Sequence, residues 1–244
     1  VSIADYVLRS SYHFMMNLRS PILGKVKVRQ AMAYAIDKGE ILQKALFGIG
    51  YMSEATLEWY VPLKTKYSRN IAKANQLLDE VGYPRDGSGT RFSTSIICST
   101  GGIPFKIAEV IREQLREVGI DLKIRPMEPA AVTDLVWKRL EFDIDMDTIS
   151  SGPDPMAVSK FYHSSQIGKG SSTNCMSYNN SRVDYLLDVA AYEPDLNKRK
   201  EYYSELQEIV ANEVPSILLA PWLVTDVYKT DFAGIPAGIS FRDP

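Results

Sequence analysis

The chain has 244 residues, of which 45% are hydrophobic and 24% are charged, and its formal net charge is −2. This composition is typical of a globular protein that is long enough to bury a sizeable core. The near-neutral balance gives no broad positive field, so we expect no nucleic-acid partner and favour a small solute or another protein. Cys98 and Cys175 are the two cysteines, and we predict two small buried side chains rather than a disulfide framework or a zinc site.

No apolar run approaches the roughly 18 residues that a membrane-spanning helix needs. The sequence starts at Val1 with no basic and apolar signal segment before it, so we expect a chain that was processed or cut from a longer one. No internal repeat or Pro/Ser-rich linker separates two parts, so residues 1–244 are expected to form a single domain.

The first part of the chain has the pattern of a strand followed by helices. Helix-spaced apolar residues run from Val26 to Leu46, and Asp37 followed by Glu40 is a capping-box pattern that predicts two consecutive helices. A second apolar stripe predicts a helix over 71–81 that ends at Gly82.

The middle of the chain alternates strands and helices. Strands are predicted over 92–98, 120–124 and 142–149, and helices over 107–118 and about 130–140. A helix between two strands with short joints is typical of a parallel βαβ unit, so this order predicts an α/β fold.

A long irregular stretch over 150–180 comes next, and such a loop in a compact α/β protein is more often a functional surface than filler. Two helices, over 183–190 and 197–212, are predicted after it. The last predicted elements are strands over 217–220 and 223–228.

The sequence lacks the motifs GxSxG, HExxH and GxGxxG and a complete P-loop. A rival hypothesis is an α/β hydrolase-like enzyme that uses Ser150 or Ser151 with His163. His163 stands next to Ser164, but adjacent residues rarely place a nucleophile and a base correctly, and we expect no acid fixed nearby. We therefore predict no enzyme and no cofactor, with His163 and His13 as structural histidines.

Asp143, Asp145 and Asp147 alternate along one predicted strand, so their carboxylates would share a face about 7 Å apart. A calcium site is one interpretation, but Thr148 and Asp154 stand where an EF-hand loop needs Gly and Glu. We instead predict a solvent-facing acidic strand and no metal site.

The segment Val28-Arg29-Gln30-Ala31 through Ala35-Ile36-Asp37 is the most specific motif of the chain. It resembles a helix pair of the family 5 extracellular solute-binding proteins, the group of dipeptide, oligopeptide and nickel carriers. Further similar segments, in the family's order, are Phe14-Met15-Met16-Asn17 with Pro21, Ala72-Lys73-Ala74 with Gly82-Tyr83, Leu115 with Gly119-Ile120, Asp154-Pro155, Tyr178-Asn179-Asn180, and Arg199 with Tyr202.

This resemblance implies a type II periplasmic-binding-protein-like lobe with a mixed sheet flanked by helices. The lobe would be the carboxy-terminal half of a two-lobe protein whose amino-terminal lobe is absent from residues 1–244. The implied role is the substrate-binding component of an ABC importer. The implied location is extracytoplasmic, either periplasmic or attached to the outer side of the membrane. Such a component captures peptides in the cleft between its lobes and delivers them to the permease subunits. The same role for a sugar, an opine or a metal chelate stays open, as does a sensor domain of the same fold.

Open α/β sheets bind ligands where loops leave the carboxyl ends of strands. The expected ligand-binding residues are therefore Ser99, Thr100, Gly101, Thr148, Ile149, Ser150, Ser151, Gly152 and Asp154. In the peptide carriers of the family, an aspartate ahead of the Asp-Pro pair holds the amino terminus of the ligand, and the matching position here is Ser151. A serine hydroxyl cannot supply that charge-assisted bond, so either Asp154 or Asp147 substitutes for it or the ligand is not a peptide.

Overall fold

The computed structural model describes residues 2–49, 62–150 and 154–229, and for 2–9 and 222–228 it describes the backbone alone. The strands in these ranges are β1 Ser2–Met16, β2 Phe92–Ser99, β3 Ile120–Met127, β4 Ile144–Ser150 and β5 Ser216–Tyr228. The α-helices are α1 Val26–Ala35, α2 Lys38–Lys44, α3 Ile71–Glu80, α4 Gly102–Glu117, α5 Pro129–Val132, α6 Ser159–Tyr162, α7 Ser181–Tyr192 and α8 Leu196–Glu213. A π-helical turn, Thr133–Arg139, continues α5, and 3₁₀ turns occupy Pro155–Val158 and Ser164–Gln166.

The strands form one mixed sheet in the order β3-β2-β4-β1-β5. Strand β2 is parallel to β3 and β4, whereas β1 is antiparallel to β4 and β5. Helix α4 joins β2 to the parallel β3, which confirms the predicted βαβ unit.

Two cores cover the two faces of the sheet, because successive residues of a strand point to opposite sides. Phe14 packs into the first core with the helices α1 to α4, while its neighbour Met15 packs into the second core with the elements from α5 to α8. Cys98 belongs to the first core and Cys175 to the second, and both are free and buried, as the sequence predicted.

Several local predictions need adjustment. Helix α4 starts at Gly102 rather than near 107, because Ile103 and Phe105 extend its apolar stripe onto the first core. The two predicted tail strands are one strand, β5, which tolerates Pro221 because β1 is its single neighbour among the described strands and β5 lies at the edge of the sheet. The capping box is confirmed in part, since the Asp37 carboxylate accepts a hydrogen bond from the Glu40 amide at 3.1 Å.

The buried Arg29 side chain ties the start of α1 to the end of α8. Its guanidinium donates hydrogen bonds to the carbonyls of Leu23, Gly24, Glu213 and Val214 at 2.6–3.0 Å. Val214 ends α8 with a φ of 50°, a left-handed conformation that is unfavourable for a β-branched residue. Arg29 therefore stabilises the strained turn through which the chain enters β5.

The Arg29→Met variant tests this clamp. We expect it to lower the free energy of unfolding by about 3 kcal/mol or more, because several carbonyls lose a charged donor at once. The measurement is the urea midpoint of the purified chain. Arg116→Met, which removes an exposed arginine of α4, is the control and should change stability by less than about 0.5 kcal/mol. Equal midpoints for the two variants would contradict the assigned role of Arg29.

Candidate functional site

One edge of the sheet gathers the loops that follow β2 and β4. These parallel strands end side by side, with Ile96, Ile97 and Cys98 paired to Ile144, Asp145 and Met146. We use the term ligand edge for the described residues that follow or end these strands: Ser99, Thr100, Gly101, Thr148, Ile149, Ser150 and Asp154. The topology thus brings the two groups of predicted site residues to the same edge.

A two-stranded ribbon leaves the sheet at this ligand edge. Strand β1 pairs with β4 only over Ser10–Met16, whereas its earlier residues, Ser2 to Val7, pair with Tyr228 to Leu223 of β5. Because β1 is antiparallel to β4, the start of β1 extends beyond the end of β4. The ribbon therefore projects from the same side of the sheet as the loops after β2 and β4.

The loop after β2 is held by hydrogen bonds and opens onto a helix terminus. The Thr100 amide and hydroxyl both donate to the Met127 carbonyl, at 3.1 and 3.2 Å. Gly101 is the N-cap of α4 and has a φ of 70°, which glycine adopts without strain. Thr100 and Gly101 are exposed and Ser99 is half-buried, so the surface of this loop and the N-terminus of α4 face solvent here.

The end of β4 contributes fewer side chains than the sequence predicts. Ile149 is only 1% exposed and packs into the second core, so its side chain is turned away from solvent. Thr148 is half-buried and Ser150 is exposed opposite Ser10 of β1. Ser151 and Gly152 lie outside the described residues.

Asp154 is engaged in an ion pair with Arg199 of α8. Its Oδ1 accepts hydrogen bonds from Arg199 Nη2 at 2.6 Å and from the Met156 amide at 2.8 Å. Burial works to raise the pKa of Asp154, but Arg199 and the Met156 amide outweigh burial and hold the pKa below its ordinary value. Arg199 also donates to the Ala190 carbonyl at 2.9 Å, so it ties the α7–α8 connection to the ligand edge.

Arg199 is the residue of this edge that the sequence analysis did not place there. It was noted only as part of a family-like segment, because nothing in its local pattern shows that it reaches 45 positions back to Asp154. Its side chain is 13% exposed and that of Asp154 is 49% exposed. The charge of Asp154 is therefore largely compensated within the chain.

The acidic strand is buried rather than solvent-facing, so that prediction was wrong. Strand β4 lies between β2 and β1 and has a core on each face, which leaves Asp145 with no exposed surface. Asp143 precedes the strand and accepts hydrogen bonds from the amide and hydroxyl of Ser95, at 2.9 and 2.7 Å. Asp147 accepts one from the Thr148 amide at 2.7 Å.

The expectation that no acid lies near His163 was also wrong. Its Nε2 lies 3.3 Å from Asp188 Oδ1, and its Nδ1 lies 3.6 Å from Asp184 Oδ1. Its Nδ1 also accepts a hydrogen bond from the Ser165 amide at 3.0 Å, while the Ser164 hydroxyl is bound to Asp184. Both ring nitrogens of His163 therefore face groups other than a serine hydroxyl, and this arrangement does not activate a nucleophile.

A groove of about 400 Å³ lies at the opposite edge of the sheet from the ligand edge. It is lined by Asn17, Arg19, Ser20, Pro21, Ser95, Arg125, Leu140, Glu141, Phe142 and Asp143. Part of its polar lining stabilises the turn before β4, because the side-chain amide of Asn17 donates hydrogen bonds to the carbonyls of Leu140 and Phe142 at 3.1 and 2.9 Å. This groove is the competing location for a ligand.

Within the described ranges, no three His, Cys, Asp or Glu side chains are grouped so that they could hold a metal ion. A membrane-crossing helix is likewise missing from the part of the chain that the structure describes, since every helix there is too short or too polar.

The family model for bacterial extracellular solute-binding proteins, family 5 Middle, matches residues 4–172. This chain belongs to the family 5 extracellular solute-binding proteins. The oligopeptide-binding protein AppA of Bacillus subtilis is 29% identical over 223 residues, which are 83% of this chain and 40% of AppA. The glutathione-binding protein GsiB of Salmonella typhimurium is 28% identical over 248 residues, which are 95% of this chain and 47% of GsiB.

Solved structures confirm the lobe architecture. NikZ from Campylobacter jejuni, in complex with Ni(L-His), superposes with a TM-score of 0.89 at 23% identity over 97% of this chain and 50% of NikZ. AppA from Bacillus subtilis, in complex with a nonapeptide, gives a TM-score of 0.81 at 25% identity over 92% of this chain and 47% of AppA. The fold is that of a type II periplasmic-binding-protein lobe, and this family 5 chain spans about half the length of the relatives it matches.

A double-mutant cycle on Asp154 and Arg199 tests the ion pair at the ligand edge. With Asp154→Asn and Arg199→Met, we expect a coupling energy of about 1 kcal/mol in urea unfolding, because one partner is mostly buried. The exposed pair Arg182 and Glu205, which joins α7 to α8, is the matched control and should show a smaller coupling energy. A coupling energy between Asp154 and Arg199 that is no larger than that of the control pair would contradict the stabilising role of this ion pair.

Proposed function

We propose that this family 5 chain forms one wall of a ligand cleft in the substrate-binding component of an ABC importer. The observation that carries the proposal is the convergence of the β2 loop, the end of β4 and the β1–β5 ribbon at the ligand edge. The ribbon is suited to connect the wall to a second, amino-terminal lobe. Closure of the two lobes over a solute would remove water from it and create the form that permease subunits recognise.

Family membership supports an extracytoplasmic location for the whole protein, free in the periplasm or attached to the outer face of the membrane. The family model describes binding proteins, and the engaged ring nitrogens of His163 argue against a serine hydrolase. Capture without bond cleavage is therefore the activity we assign to the chain.

Peptides are the ligand class that we favour, since the names of the relatives AppA and GsiB state oligopeptide and glutathione binding. Ser151 cannot replace a carboxylate, and Asp154 is already paired with Arg199. The described ligand edge presents mainly uncharged polar groups instead: the hydroxyl oxygens of Ser99, Thr100 and Ser150 and the N-terminus of α4 at Gly101. We therefore propose that the wall binds the peptide mainly through polar, uncharged contacts rather than through its ammonium group.

A substitution at the ligand edge tests where the ligand binds. In the protein that carries both lobes, Ser150→Trp should weaken peptide binding at least about tenfold, because the indole fills the space in front of β4. Ser93→Trp places the same bulk on an exposed residue of β2 near the opposite edge and should leave the affinity unchanged. Isothermal calorimetry measures both. Loss of affinity in the Ser93 variant alone would move the site to the other edge.

Mass spectrometry of small molecules that co-purify with the two-lobe protein from its native compartment identifies the ligand class. We expect peptides. A sugar, an opine or a metal chelate would overturn the peptide assignment and retain the binding role. Conversion of an added ester or peptide into products would overturn the binding role itself.

The chain alone should bind weakly, because a single wall leaves half of the ligand in water and lacks the contribution of lobe closure. We expect a Kd for peptide weaker than about 10 μM for residues 1–244, measured by calorimetry. A micromolar or tighter Kd for this chain would show that the second wall contributes little.

A further inference from the structure

Three ionisable side chains, two of them buried and one half-buried, form a cluster beneath the ligand edge, on the face of the sheet that carries the second core. In the register of β1 and β4, His13 is opposite Asp147 and Met15 is opposite Asp145. Because directly opposed residues of an antiparallel pair point to the same side, His13, Asp145 and Asp147 share that face. We refer to these three residues as the acid–histidine cluster.

Two members of the cluster have polar atoms that are buried without a partner. Asp145 is 0% exposed, and neither of its carboxyl oxygens makes a hydrogen bond of normal geometry. His13 is 1% exposed; its Nδ1 lies 3.2 Å from the Ser216 hydroxyl, and its Nε2 has no partner. Buried polar groups are nearly always paired in native proteins, so this site requires an explanation.

An ionised Asp145 would be very unfavourable here. A carboxylate moved from water into a core costs several kcal/mol unless a cation or several donors compensate it. Burial and then the charge of Asp147 raise the pKa of Asp145 well above its ordinary value, against a smaller lowering by the Met146 amide. Burial also raises the pKa of Asp147, so the two carboxyl groups disfavour ionising together.

His13 does not supply the missing positive charge. Burial, and to a smaller degree the charge of Lys38, lower the pKa of His13 to about 3, so its ring is neutral at physiological pH. The titratable side chains beside the cluster on this face are uncharged as well. Cys175, in the segment before α7, interacts electrostatically with Asp145 and Asp147, and Tyr162 of α6 shares the Ser216 hydroxyl with His13; burial raises the pKa of both side chains. On the other face of the sheet, burial raises the pKa of Cys98 to about 11.

We propose that Asp145 is a proton-binding site that keeps its proton at neutral pH and releases it only as the lobe loosens. The neutral carboxyl group lets β4 pack between the two cores. Loss of the proton separates β4 from the second core, which covers Asp145. Because Thr148 and Ser150 lie three and five positions further along the same strand, alkaline pH would disturb the ligand edge through β4. This inference does not depend on the nature of the ligand.

The sign of the pH dependence follows from the raised pKa. Below pH of about 4, Asp145 is protonated in both the folded and the unfolded chain and contributes no pH dependence. Above that pH the unfolded chain releases the proton while the folded chain retains it, so stability falls as pH rises until the folded pKa is reached. One proton of difference changes the unfolding equilibrium constant tenfold for each pH unit.

The Asp145→Asn variant isolates this term. Urea unfolding of the chain is measured between pH 5 and 8, and the slope of the logarithm of the unfolding constant against pH is compared with that of the wild type. In the wild type, Asp145 should raise the unfolding constant by up to tenfold for each pH unit. We expect this contribution to be absent from the variant. Asp121→Asn is the control, because Asp121 is half-exposed and its pKa is lowered by its partners Lys123 and Ser93. This variant should keep the rise of the unfolding constant with pH. Identical slopes for the wild type and Asp145→Asn would overturn the proposal.

Infrared spectroscopy of the wild type gives an answer even when the variant does not fold. We expect the carbonyl stretch of a protonated carboxyl group at pH 7, shifted on transfer to heavy water and absent from Asp145→Asn where that variant folds. A spectrum of the folded wild type without a protonated carboxyl at pH 7 would overturn the proposal. A band that persists in a folded Asp145→Asn variant would do so as well, by assigning the proton to another residue.

Discussion

The direction of β4 is the constraint on which the site depends. This strand is parallel to β2 on one side and antiparallel to β1 on the other. The first relationship brings two strand-to-loop junctions to one edge, and the second sends the β1–β5 ribbon out of the sheet from the same edge. A reversed β4 would place its loop beside the turn at Asn17, and the wall would be divided between two edges.

Because β4 lies in the middle of the sheet, it is buried on both faces. Strands in the middle of a two-sided sheet are usually apolar throughout, yet β4 carries Asp145 where a core side chain is expected. No cation pairs with Asp145 among the described residues, and we therefore expect its carboxyl group to be neutral. Arg29 is the contrasting case, because this buried charge donates hydrogen bonds to the carbonyls at the end of α8 and in the turn before α1.

The sequence predicted most of the elements, since helix-spaced stripes and the alternation in β2 are local signals that the two cores preserve. It also predicted that the site lies on two loops, and the structure brings these two loops to one edge of the sheet. Alternation alone could not tell a solvent-facing acidic strand from a buried one, because the position of β4 in the sheet is set by contacts with β1 and β2 far along the chain. The same limit concealed the bond from Arg199 to Asp154 and the carboxylates beside His163, which come from distant helices. Arg29 was recognised as part of a motif, but its four carbonyl partners follow only from the fold.

Hydrogen exchange of the two-lobe protein, with and without its ligand, is the measurement that decides whether a solute binds at the ligand edge. We expect slower exchange on ligand addition for the amides of 99–102 and 148–150, and no change for the turn around Asn17 or the groove beside Arg125. Protection confined to that opposite groove, or no protection at either edge in the presence of a bound ligand, would contradict binding at the ligand edge.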